Sequence, residues 1–263
     1  MTNRRHLLAL LTVTATMFGM SAAQAQDALS NIEKSKTIKI AVPTDFPPYG
    51  FVDTSLQPQG LDVDMAKLIA QKLGAKLDLV VVTSANRVPY LQTRKADLVI
   101  STLGKNPERE KVIDFSIAYS PFFQAVFAPK SVKIESFADL SGKTIAVTRG
   151  AIEDQELTQQ APADANIKRF EDNNATVAAF VAGQTQVVAT GASVAANMMQ
   201  KNPKLQAEYK LLLKDSPNYI GLAKGEDALR ERVNAIVRQA KQDGELDALS
   251  KKWLGRPAGK LPE

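Results

Sequence analysis

The sequence predicts an α/β protein of two Rossmann-like lobes joined by a two-strand hinge. Three observations predict it. From residue 36 onward, short apolar runs alternate with amphipathic stretches in the order β-α-β-α-β, which calls for a largely parallel sheet covered by helices. The alternation breaks at Ser120-Pro121 and then begins again. A late apolar run at 211–213 and two closing helices lead back to the first lobe, so the lobes are joined twice. The expected bounds are a leader at 1–25, a first lobe at 26–123 and 211–263, and a second lobe at 124–210.

The leader has a positive end, Arg4-Arg5, an apolar stretch at 7–20 too short to span a bilayer comfortably, and a small-residue cleavage site, Ala23-Gln24-Ala25. The mature chain should therefore begin at Gln26 and be exported. The paired arginines match a twin-arginine signal only weakly.

Residues 37–42 read as a strand. The loop at 43–51 carries three prolines, of which Pro47-Pro48 stiffen its centre and hold Phe46 and Tyr49 with little ordering cost. Phe46 is the candidate for a ring lying against a ligand, whereas Tyr49 or Phe51 suits a core. At 61–74 an amphipathic helix sets Leu61, Met65, Leu68, Ile69 and Leu73 on one face, with Asp62 and Asp64 at its positive end and Gly74 as its stop. A strand at 77–82, a short helix at 86–91 and a strand at 96–100 follow. The next stretch, 101–114, begins where that strand leaves its sheet, the place where open α/β sheets bind ligands. Thr102 offers a hydroxyl there, Gly104 allows close backbone approach, and Arg109 carries a fork of donors suited to a carboxylate. Taken alone, this stretch fits an exposed arginine in a charged turn better than a ligand site.

In the second lobe, strands are expected at 122–128, 144–148, 167–170 and 187–189, with helices at 175–182 and 192–201. Arg149-Gly150-Ala151-Ile152-Glu153-Asp154 joins a strand to a helix N-terminus, where free backbone N–H groups form an anion seat. The long helix at 226–243 and the last at 246–253 close the chain, leaving 256–263 as a loose tail.

The 263 residues are 44% hydrophobic and 23% charged, enough for a substantial core. There is no cysteine, and the one histidine, His6, lies in the leader. A mature chain without either cannot run a Ser-His-Asp triad or hold a histidine- or thiolate-ligated metal, and no cofactor or metal is expected. The formal charge is +5 and falls to +3 without Arg4 and Arg5; the charges alternate in sign, so no nucleic-acid stripe is present.

A set of short motifs resembles one family. They are Asp45-Phe46-Pro47-Pro48-Tyr49-Gly50-Phe51-Val52-Asp53, Gly60-Leu61-Asp62-Val63-Asp64-Met65-Ala66, Asn86-Arg87-Val88-Pro89-Tyr90-Leu91, Pro107-Glu108-Arg109, Val112-Ile113-Asp114-Phe115-Ser116, Asp139-Leu140-Ser141-Gly142-Lys143-Thr144 and Lys252-Trp253-Leu254-Gly255. Singly weak, in this order and spacing they cover nearly all the mature chain and resemble the bacterial extracellular solute-binding proteins of the amino-acid type, receptors of ABC importers. The resemblance implies the periplasmic-binding-protein-like II fold, a periplasmic monomer, a small carboxylate-bearing solute and an inner-membrane ABC permease as partners. It implies that Phe46 covers the bound amino acid and that Thr102 and the Gly104 backbone form the carboxylate loop. Arg109 would pair with the α-carboxylate, the amides of Gly150, Ala151 and Ile152 would complete that site, and Arg87 would line the side-chain end. Ligand would close the cleft by touching both lobes.

The chain departs from the family's pattern at Gly104, where Ser or Thr is usual, at Ile152, where Thr is usual, and at Gly191, where an aspartate usually receives the ligand's ammonium. A buried ammonium without a partner is costly, so Asp45, Glu153 or Asp154 should supply the charge, or the ligand is not a typical α-amino acid. The alternative function is a secreted cyclohexadienyl dehydratase-like enzyme, with Glu153 or Asp154 as its acid.

Overall fold

The computed structural model describes residues 27–263; the predicted leader lies outside the described residues. The first lobe opens with helix α1 (Ala28–Ser35), capped by Asp27, whose side chain accepts the Leu29 N–H at 3.1 Å. Strand β1 (Thr37–Val42) enters the main sheet, and the proline-aromatic loop folds into a small antiparallel sheet of β2 (Asp45–Phe46), β3 (Gly50–Val52) and β4 (Pro58–Gln59). Helix α2 (Leu61–Leu73) stops at Gly74, whose φ of 64° is left-handed. Strand β5 (Lys76–Val81), helix α3 (Arg87–Gln92), strand β6 (Leu98–Gly104), the single turn α4 (Pro107–Glu110) and strand β7 (Ile113–Ser120) complete this part.

The second lobe holds β8 (Phe123–Pro129), β9 (Thr144–Thr148), α5 (Ile152–Gln160), β10 (Asn166–Phe170), α6 (Asn173–Val181), β11 (Val187–Gly191), α7 (Ala192–Lys201) and β12 (Ala207–Asp215). The chain then returns as β13 (Asn218–Ala223), α8 (Asp227–Gln242) and α9 (Glu245–Leu254).

The two main sheets share a plan. The first is ordered β5-β1-β6-β13-β7 and the second β10-β9-β11-β8-β12. Three strands at one end of each are parallel. The antiparallel strand fourth in line, β13 or β8, is the one that has just crossed from the other lobe. Alternate residues of one strand feed opposite cores: Ile38, Ile40, Leu98 and Ile100 pack on one face of the first sheet, and Ala41, Val99 and Leu103 on the other. Val126, Ile145 and Val187 against Ala125, Ala146 and Val188 repeat this in the second. Sheets covered on both faces produce apolar runs rather than alternation, which is why 98–100 reads as continuous Leu-Val-Ile.

Four expectations change. Strand β6 does not end at Ile100 but runs to Gly104, because Leu103 and Gly104 pair antiparallel with Tyr219 and Asn218 of β13. Residues 113–120, expected only in part and as a motif, and 218–223, assigned to no element, are strands of the first sheet. Residues 211–215 pair with β8 in the second sheet, so the return to the first lobe falls at Ser216-Pro217 rather than after 210. The tail is not loose: Pro262 O accepts the Ala118 N–H at 3.4 Å, Ala258 is buried, and Glu263 pairs with Arg238 and Lys241.

The crossings, at Pro121-Phe122 and Ser216-Pro217, run side by side. The Ser216 N–H donates to Phe122 O at 3.2 Å, tying them together.

Candidate functional site

A cavity lies between the lobes, at the carboxyl end of β6 and beside the N-terminus of α5. It is lined by Phe46, Ser84, Arg87, Thr102 and Phe122 on one side and by Gln124, Ala151, Ile152, Glu153 and Asn173 on the other. Its volume is about 10 Å³, about the room one water needs. The lobes are thus closed on each other, and a solute enters only if they part.

The first-lobe wall is built from Asp62. Its carboxylate is fully buried and accepts the Thr102 N–H at 2.8 Å and the Tyr119 hydroxyl at 2.6 Å. These bonds help hold Thr102 at a φ of 42°, a left-handed conformation that a β-branched residue adopts only under constraint. The bend turns two carbonyls toward Arg87, whose Nη1 donates to Ser101 O at 2.8 Å and Thr102 O at 3.2 Å while its Nε donates to Ser84 O at 3.1 Å. Burial pushes the Asp62 carboxyl up to about 7, with Tyr119, Thr102 and Arg87 opposing. Burial lowers Arg87, opposed by Glu153, Asp45 and Asp62.

Arg109 is placed differently from the carboxylate role that the resemblance implies. Its backbone N–H is held by the Asn106 cap at 2.9 Å, while Nη1 donates to Gly104 O at 2.7 Å and Nη2 to Gly150 O at 3.0 Å. Those donors join one lobe to the other, and Arg87 is the guanidinium that lines the cavity. Burial pushes Arg109 down to about 9; Arg87 adds to the fall and Glu153 opposes it.

In the second-lobe wall, two of the three amides expected as an anion seat are engaged within their own loop. The Gly150 N–H donates to Asp154 Oδ2 at 3.0 Å and the Ala151 N–H to Thr148 O at 3.2 Å. Asp154 also accepts from Arg169 Nε at 2.7 Å. Asp45 reaches across from the first lobe to accept the Asn173 N–H at 2.7 Å and Nδ2 at 2.9 Å, at the positive start of α6. Glu153, 5% exposed, faces the cavity, its carboxyl raised by burial while its own backbone N–H, Arg87 and Arg109 oppose the rise. Of the three acids considered, Asp45 and Asp154 are held by donors from other residues, and Glu153 lines the space between the lobes.

The departures from pattern fall into close contacts. A Cβ on Gly104 would come within 2.8 Å of Ile152 Cγ1, so the two unusual residues face each other across the lobes. A Cβ on Gly191 would lie 2.1 Å from Phe122 Cζ, so the ring stands where a side chain at 191 would begin. Phe122 in turn sits against Tyr49 at 5.3 Å and Phe46 at 6.2 Å between ring centroids.

Sequence reasoning missed Ser84, Phe122, Gln124 and Asn173 as lining residues. Gln124 carried a signal: a polar residue inside the otherwise apolar run of β8. Phe122 carried one as well, standing beside the proline at the crossing. Ser84 and Asn173 had none that distinguishes them from ordinary helix starts.

Comparison with known proteins gives a consistent picture. Residues 38–256 match the family described as bacterial extracellular solute-binding proteins, family 3. The glutamine-binding protein of an ABC transporter of Bacillus subtilis (strain 168) is 30% identical over 239 residues, covering 89% of this chain and 87% of the relative. A mutant of the arginine-binding protein ArgBP from T. maritima superposes with a TM-score of 0.81 at 30% identity, covering 87% of this chain and all of that one. An ancestral amino acid-binding protein, described as a precursor of cyclohexadienyl dehydratase, superposes with a TM-score of 0.79 at 33% identity, covering 86% and 99%.

Proposed function

Because the chain belongs to the bacterial extracellular solute-binding proteins, family 3, we propose that it captures a small polar amino acid between its lobes and delivers it to an ABC permease in the inner membrane. Its relatives are named as binding proteins, and this chain is a solute-binding protein rather than an enzyme. The proposed setting is the periplasm and the proposed working form a monomer.

The observation that carries the reading is the cavity in which Arg87 and Thr102 of one lobe face Ala151, Ile152 and Glu153 of the other. Such a site can be filled only by touching both lobes, so occupancy favours the closed state by the solute's differential affinity for it. The fixed charges support a zwitterion. Arg87 and Arg109 both face Glu153, and Asp45 and Asp62 also act on Arg87, so groups of both signs stand ready for the two ends of an amino acid. A buried guanidinium suits the carboxylate end. Relatives named for glutamine, arginine and cystine support an α-amino acid as the ligand class.

Thermal denaturation of the mature protein with each of the twenty L-amino acids tests this. A ligand present at a hundred times its dissociation constant stabilises by about 2.7 kcal/mol, a clear rise in midpoint. Calorimetry on the best amino acid should give one site per chain. If no L-amino acid shifts the midpoint, the reading is wrong.

A further inference from the structure

The polar groups in and around the cavity are unequal. Asp45 of the first lobe and Asp154 and Asn173 of the second have protein partners, as described above. Gln124 does not: it is 1% exposed, it lines the cavity, and its Oε1 is a buried acceptor with no hydrogen-bond partner among the described residues. An orphaned buried acceptor is costly, and it is relieved by a donor arriving from the cavity. Glu153 presents its carboxylate to the same cavity from the first turn of α5. Both groups accept and neither donates, apart from the amide's NH₂. Beside them stand the Phe46 and Phe122 rings, whose faces attract a cation. Phe122 is there because residue 191 has no side chain. A carboxylate, an unpartnered amide oxygen and two aromatic rings share one cavity with the Arg87 guanidinium on the first-lobe wall.

We infer that Glu153 and Gln124 form the seat for the ammonium group of a bound amino acid, with the Phe46 and Phe122 rings beside it. This rests on the amino-acid reading and deepens it, since it makes a free ammonium group a requirement for tight binding. Glu153 neutralises the charge, Gln124 accepts a second N–H, and the solute's carboxylate lies toward Arg87. The ligand class is a primary amino acid; a carboxylate lacking the ammonium leaves Gln124 unpartnered and Glu153 facing no cation.

The test uses the L-amino acid that shifts the thermal midpoint furthest among the twenty, together with its des-amino analogue, which keeps the carboxylate and side chain. Binding is measured by calorimetry to the wild-type mature chain, Glu153→Gln and Gln124→Leu. Wild type should prefer the amino acid to the analogue at least tenfold. Glu153→Gln should weaken the amino acid at least tenfold and leave the analogue unchanged or tighter, because removing a negative charge favours a bare carboxylate. Gln124→Leu should weaken the amino acid several-fold, spare the analogue, and raise the midpoint of the ligand-free protein by removing the orphaned acceptor. Equal losses for both compounds, or none for either, overturn the seat while leaving the amino-acid reading standing. If no amino acid binds wild type, that reading fails and the seat falls with it.

Discussion

Replacing Asp62 with asparagine should remove a pH dependence that the wild-type fold carries. The carboxyl is fully buried and titrates near 7 in the folded chain, against 3.8 for the free side chain. In the unfolded chain Asp62 has lost its proton above about pH 4, whereas the folded chain retains it to about 7. Folding therefore takes up a proton in that window, and the stability contributed by the neutral carboxyl is complete below pH 4 and lost as pH rises through 7. A shift of about three units, at about 1.36 kcal/mol each, makes the whole loss on the order of 4 kcal/mol. Asparagine has nearly the same shape. Its oxygen can accept the Thr102 N–H, and its NH₂ can donate to the oxygen of a rotated Tyr119 hydroxyl, so a hydrogen bond to each partner persists. Urea unfolding of the ligand-free protein at several pH values between 4 and 8 measures the difference. Wild type should lose stability relative to Asp62→Asn as pH rises, by about 4 kcal/mol over the range, since the substitution removes this carboxyl from the titration. Parallel curves would refute the reasoning. So would a gap that opens in the opposite direction, which would mean that the Arg87 guanidinium outweighs burial.

Arg109→Ala should weaken amino-acid binding at least tenfold, about 1.4 kcal/mol, because it deletes donors to Gly104 O and Gly150 O from opposite lobes and so penalises the closed state; unaltered affinity by calorimetry would remove Arg109 from the closing machinery. Gly191→Ala should cost about 1–3 kcal/mol by overpacking, since its methyl would fall 2.1 Å from Phe122 Cζ. Adding Phe122→Ala should recover part of that loss in urea unfolding, and a Gly191→Ala variant as stable as wild type would mean that the ring is free to move.

The fold was legible wherever one segment's own chemistry decides its state. The 61–74 helix shows its apolar stripe and glycine stop in sequence, and the structure places it at Leu61–Leu73 with Gly74 left-handed. The strands that sequence reasoning passed over, β7 and β13, read Ile-Asp-Phe-Ser-Ile-Ala-Tyr-Ser and Asn-Tyr-Ile-Gly-Leu-Ala, with polar and small residues mixed through them. Pairing with partners about a hundred residues away decides them: β13 lies between β6 and β7, and the Ser116 hydroxyl accepts the Ile220 N–H at 2.9 Å. Misplacing the return crossing has the same cause. Residues 211–215 look like any apolar strand, and only β8 assigns them to the second sheet.

The site follows the same rule more sharply, because it lies where two lobes meet and single positions there carry half of an interaction. Gly104 and Ile152 look like two separate departures in sequence; in space they are one contact, a missing side chain opposite an enlarged one. Gly191 and Phe122 form a second such pair. Arg109 reads as a carboxylate fork by residue type, yet its donors point at two carbonyls, while Arg87, set among Ser84, Ser101 and Thr102, has the place on the cavity wall. The choice among Asp45, Asp154 and Glu153 could not be made by counting acids. It turns on which carboxylates the protein already satisfies, and Arg169 and Asn173, the residues that satisfy two of them, lie between 15 and 128 positions away in the chain. A ligand site of this kind is therefore read from what remains unpartnered once the lobes have closed. Residue type narrows the candidates, and the hydrogen-bond partners decide among them.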